Sequence, residues 1–131
     1  MKNIQKILNF LNKYNYNFEY YENRRLIVVN LGFNLFSHIQ ISNNQEIIKI
    51  SDKLEGFNGI SGFIQTSIKK SMIYQTIMLL IAFIVLELTK FSKYDYDYTY
   101  LLVIFITISL LWFIFYLVKS EIFKMKIENL V

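Results

Sequence analysis

Apolar residues along this chain fall into three successive regimes: a helical period, a two-residue alternation, and an almost unbroken apolar run. Met1, Ile4, Ile7, Leu8, Leu11 and Tyr14 recur at helical spacing with Lys2, Lys6 and Lys13 on other faces, which predicts an amphipathic helix of about four turns. Such a helix covers a sheet or lies in a membrane interface. A sheet is the better partner, because strand-like sequence follows at once. Residues 18–21 and 25–30 are rich in aromatic and β-branched side chains and flank the polar turn Glu22, Asn23 and Arg24, a hairpin pattern.

A second hairpin is predicted from 35–42 and 45–52 around Asn43 and Asn44, residues that tolerate the positive φ of a two-residue type I′ turn. That turn pairs Ile41 with Glu46, Ile39 with Ile48, and Ser37 with Ile50. One face then collects Leu35, Ile39, Ile41, Ile48 and Ile50, and the other His38, Gln40, Lys49 and Ser51. A slip by one residue would exchange the two faces, so turn chemistry and alternation support one register. The predicted fold class is α+β: a small N-terminal helix plus a four-stranded antiparallel meander over 1–56, followed by a two-helix transmembrane hairpin. A domain of this size buries little surface and is marginal alone. Support is expected from the membrane surface, the hairpin's ends or a second copy.

Residues 57–70 form a glycine-containing junction and juxtamembrane segment. Gly56, Gly59 and Gly62 match neither GxGxxG nor GxxxxGK[ST], so the segment reads as a connector or a closely packed turn, not a phosphate loop. Ile60, Phe63, Ile64 and Ile68 recur at helical spacing and end at Lys69 and Lys70. This predicts a helix that lies along the headgroups or runs straight into the first span.

The predicted hairpin occupies 71–118, with spans at 71–89 and 99–118. At about 1.5 Å per residue the first reaches about 28 Å, close to a hydrocarbon core of about 30 Å. The second carries no charge and no polar stripe. The short connection 90–98, KFSKYDYDY, makes the spans antiparallel neighbours. Its tyrosines, with Tyr100, suit an interfacial belt on that side, as do Trp112, Tyr116 and Tyr74 on the other. Lys53, Lys69, Lys70, Lys119, Lys124 and Lys126 flank the outer ends, whereas the connection has only Lys90 and Lys93, offset by Asp95 and Asp97. This bias predicts a multi-pass protein of the cell (inner) membrane with both termini, including a tail over 119–131, in the cytoplasm. Gln75, Thr76, Thr107 and Ser109 are candidates to hydrogen-bond across the hairpin. Glu87 is the one charge inside either span and hence a candidate relay. Its place one turn from the span's end, with Lys90 at i+3, favours an interfacial ion pair.

Composition narrows the chemistry. The apolar fraction of 54% exceeds that of ordinary soluble domains and is concentrated in 72–118. The absence of cysteine excludes disulfides and thiol chemistry, and a single histidine excludes His-pair metal motifs. The lack of proline, with abundant Ile, Asn, Lys, Tyr and Phe, suggests an AT-rich bacterial genome. The N-terminal segment does not read as a secretory signal, so the first domain is expected to stay where it is made. The net charge of +4 is accounted for by lysines beside the spans. His38 reads as a solvated strand residue, and Glu19, Glu22, Glu46, Asp52 and Glu55 are scattered, with no nucleophile–base pair. Arg24 and Arg25, beside Tyr20 and Tyr21, are candidates to contact lipid phosphate or an acidic partner, as are Lys69 and Lys70 for headgroups.

These readings predict a non-enzymatic protein without metal or cofactor, whose hairpin anchors a cytoplasmic protein-interaction domain. Its expected partners are the lipid bilayer and a protein partner or homo-oligomer, not nucleic acid. Two alternatives are an immunity (self-protection) protein against a membrane-acting toxin and an oligomeric channel or transporter subunit. The latter would line its pore with Gln75, Thr76, Glu87, Thr107 and Ser109.

Overall fold

The computed structural model describes residues 2–42, 48–55, 65–90 and 99–130. The Asn43-Asn44 turn, Glu46, the glycine junction with Ile60, Phe63 and Ile64, and the 91–98 connection lie outside these residues, as does the side chain of Lys90. The elements are helix α1 (Lys2–Lys13), strands β1 (Asn17–Tyr21), β2 (Leu26–Gly32), β3 (Leu35–Ile41) and β4 (Ile48–Leu54), and helices α2 (Ile68–Lys90) and α3 (Thr99–Glu128). The strands form one antiparallel meander in the order β1-β2-β3-β4. The α+β layout is the predicted one.

Helix α1 ends where Asn15 adopts a left-handed φ of 53°. Asn15 N–H then bonds the Asn12 carbonyl at 3.1 Å and Tyr16 N–H bonds the Leu11 carbonyl at 3.0 Å, the paired bonds of a Schellman cap. Tyr16 folds back so that its ring lies 6.1 Å from that of Phe10. Helix α1 thereby turns directly into β1. Between β1 and β2 the chain makes one 3-10 turn, Glu22–Arg24, closed by Arg25 at φ 47°. Arg25 is therefore the cap of that turn, and β2 starts one residue later than predicted.

The β3–β4 register corrects the predicted one by two residues. Ile41 pairs with Ile48, Ile39 with Ile50 and Ser37 with Asp52, which leaves 42–47 as the connection. An even shift keeps every side chain on its predicted face. Its physical gain is at the far end, where Leu54 comes opposite Leu35 and both are fully buried.

One face of the sheet carries the core. Ile27, Val29, Leu35, Ile39 and Leu54 have no exposed surface, and Ile7 and Leu11 of α1 close over them. The rest of that layer comes from the segment predicted as a tail. Helix α3 continues unbroken to Glu128, and Phe123 (3% exposed) and Ile127 (0%) enter the same core. Burial of a side chain this size contributes about 1.5–3 kcal/mol. Tyr16 against Phe123, 5.3 Å between ring centres, and the Lys6 ammonium on the Leu130 carbonyl at 3.5 Å join α1 to this stretch. The opposite face of the sheet has no described helix over it.

Helix α2 is tied to the sheet at its first turn. Leu54 and Thr66 exchange backbone hydrogen bonds of 2.8 and 3.3 Å, Asp52 accepts from Ile68 N–H at 2.6 Å, and the Thr66 and Ser71 hydroxyls are hydrogen-bonded to each other. Lys70 N–H bonds the Ser67 hydroxyl, an N-cap contact at 3.4 Å. Among the described residues of the predicted juxtamembrane helix, 65–67 are not helical, Thr66 bridging to Leu54 of β4, and α2 starts at Ile68.

Both long helices are apolar and long enough to cross a membrane, and only 6% of either apolar stretch is buried within the chain. On α3 the buried and half-buried apolar and serine positions are Leu102, Ile106, Ser109, Phe113, Tyr116, Ser120, Phe123 and Ile127, alternately four and three residues apart, with Lys119 and Lys124 half-buried beside them. That 3.5-residue period keeps one side of α3 turned toward the rest of the chain along its length. Its first half includes the side facing α2, where Gln75 and Leu79 are half-buried, and its second half faces the sheet.

Candidate functional site

The sheet and the long helices meet at the β2–β3 turn. Gly32 (φ 86°), Phe33 (φ 55°) and Asn34 (φ 60°) all adopt left-handed backbone. Glycine suits the first of these positions and asparagine the last, whereas a bulky aromatic pays steric strain there. Several contacts hold Phe33 in place. The Tyr116 hydroxyl donates to its carbonyl at 2.6 Å, and its ring sits edge-on to Trp112 and Phe115 at 6.0 and 5.6 Å. The Lys119 ammonium lies 5.2 Å from the Phe33 ring and 5.3 Å from that of Phe115, within cation–π range. Asn30 steadies the approach by accepting Gly32 N–H on its side-chain oxygen at 2.7 Å. Tyr116, predicted for an interfacial belt, is instead 2% exposed and serves as the bolt between helix and sheet.

Pairing across the uncovered face sets its chemistry in rows. Glu19, Val28, His38 and Ser51 form one row, and Tyr21, Leu26, Gln40 and Lys49 a second. Glu19, Tyr21, Val28, Phe36, His38 and Glu55 line a shallow groove of about 360 Å³ there. Tyr21 donates its phenolic hydrogen to Glu19, and that bond together with the carboxylate's charge raises the Tyr21 pKa above its ordinary value. His38 was expected to be solvated, but its Nε2 is buried without a hydrogen-bond partner, 3.7 Å from Glu55. Burial lowers its pKa, the Lys53 charge adds to that effect, and Glu55 only partly opposes it. His38 is therefore neutral near pH 7, and the 3.7 Å contact is not an ion pair; Lys53, 3.0 Å from Glu55, is that carboxylate's salt-bridge partner.

The predicted site residues do not converge. Arg24 and Arg25 line a basic groove of about 420 Å³ with Lys49, Gln40 and Ser42, at the opposite strand ends from Phe33. Lys69 and Lys70 are exposed on the first turn of α2. Glu87 is half-buried in the last turn of α2, about 26 Å from Lys70 at 1.5 Å per residue. Thr76 and Thr107 donate to the carbonyls of Met72 and Val103 in their own helices, each at 2.9 Å, where cross-hairpin bonds were expected. Phe33 and Lys119 were missed as a pair, although the run Gly32-Phe33-Asn34 carries a turn signal in its flanking residues. Comparison with protein-family models, with curated proteins and with solved structures finds no match.

Proposed function

We propose that this chain is a non-enzymatic, membrane-anchored interaction module. In this reading α2 and α3 cross the bilayer as a hairpin and hold the α+β domain against the cytoplasmic surface. The observation that carries it is the continuity of α3. One 30-residue helix begins as apolar surface left uncovered by the chain and ends in the core of the sheet domain. Exposed large apolar residues such as Met78 and Leu88, 66% and 65% exposed, need a lipid solvent or further protein around them. The domain is then a rigid extension of its anchor rather than a tethered bead. The uncovered sheet face, with Val28, Phe36, Tyr21 and His38, is the surface it offers to a protein partner.

The test uses the full chain in its native membrane. Alkaline carbonate should leave it in the pellet, and a photocrosslinker at Val28 should give one discrete adduct that the same probe at Ile39, on the buried face, does not. Extraction by carbonate, or identical smears from both positions, would refute the module.

A further inference from the structure

Beside the Phe33 junction, α3, β2 and the α1–β1 connection enclose a groove of about 520 Å³. Its polar rim is made by Lys119, Lys126, Asn15, Asn17 and Asn30 and, among the described residues, contains no carboxylate. Lys119 and Lys126 lie seven residues apart on one face of α3, and neither has an ion-pair partner among the described residues. Lys119 is held in place by the rings of Phe33 and Phe115. Leu31 and Phe123, both buried, and Tyr16 form an apolar wall behind these donors. The carbonyls of Leu11 and Asn12 at the end of α1 are tied into its cap and do not repel an anion from the rim. Since the asparagine amides and ammonium groups supply donors without a competing negative charge, the groove suits a phosphate whose remainder is apolar.

We propose that this groove binds the headgroup phosphate of an anionic phospholipid from the adjoining leaflet. The proposal rests on the anchored reading above, which puts Lys119 at the end of the second span, at headgroup depth. Two lysines set for phosphate, with the Phe33 and Phe115 rings beside Lys119 on the span's side of the groove, give it a preference for a lipid over a soluble anion.

Native mass spectrometry of the full chain released from mixed nanodiscs of phosphatidylglycerol and phosphatidylcholine tests this. The wild type should retain phosphatidylglycerol preferentially. Lys126→Gln, at an exposed position, should weaken retention about fivefold, and Lys119→Met with Lys126→Gln about 25-fold, at about fivefold per lysine. Lys119→Met keeps the apolar stem against Phe33 and Phe115. Lys124→Gln, on the same helix but outside the groove, should change little. Unchanged retention in the double variant, with the chain still carbonate-resistant, would overturn the lipid site alone. Displacement of the lipid by millimolar inorganic phosphate would overturn its lipid source. A chain that carbonate extracts would fail the anchored reading itself, and the headgroup site with it.

Discussion

His38 shows how one residue's surroundings reverse what its neighbours along the chain imply. Alternation puts it on the polar face, and there it lies, yet Phe36, Lys53 and Glu55 close around it so that Nε2 is buried. Alternation reports which face a side chain takes and says nothing of how its neighbours lean over it. The lowered pKa has a definite consequence for stability. The unfolded chain, with a value of about 6.5, binds the proton more tightly than the folded one, so the contribution is complete above that value. It is lost as pH falls through the depressed folded value. As the chain has one histidine, its imidazole resonance can be followed without assignment. We predict a titration midpoint below about 6.5, and a fall in unfolding temperature on acidification that His38→Gln reduces. A midpoint at or above the ordinary value would contradict the burial.

At the scale of elements, the three regimes of apolar spacing were legible because each has its own period. The four-stranded order and the choice of buried face follow from alternation and hydrophobicity alone. The β3–β4 register did not, since a shift of two residues leaves every face unchanged, and what favours the observed one lies further along the chain: Leu54 opposite Leu35, and the bonds of Asp52 to Ile68 and of Leu54 to Thr66. The role of 119–131 was hidden for a different reason. Its lysines and glutamates give a polar average along the stretch, which masks Phe123 and Ile127 continuing the 3.5-residue seam. We predict that Ile127→Ala destabilises the sheet by about 2–4 kcal/mol. Met125→Ala, at a residue 53% exposed, should stay within about 0.5 kcal/mol. Hydrogen exchange at the β2 and β3 amides reads both, and equal effects would return this stretch to the status of a tail.

At the scale of the whole molecule, one helix, α3, joins a long uncovered apolar stretch to the core of the sheet domain. Apolar length announces the two long helices from the residues alone, and lysine bias predicts their orientation. The junction at Phe33 was not legible, because it depends on a long-range contact between a turn and a helix more than seventy residues later. It brings the end of the apolar run of α3 and the β2–β3 end of the sheet together. The candidate groove at Lys119 and Lys126 arises from the same meeting. Neither lysine is distinctive until α3 is seen to continue past the apolar run.

In the proposed topology the chain crosses the bilayer twice and carries its α+β domain on the cytoplasmic side. With no native cysteine to remove, single substitutions Ser42→Cys and Ser92→Cys report on the α+β domain and on the connection between the two long helices in sealed membrane vesicles of known orientation. An impermeant maleimide should then label Ser42→Cys from the cytoplasmic face only and Ser92→Cys from the opposite face only. Labelling of both positions from the same face would contradict it.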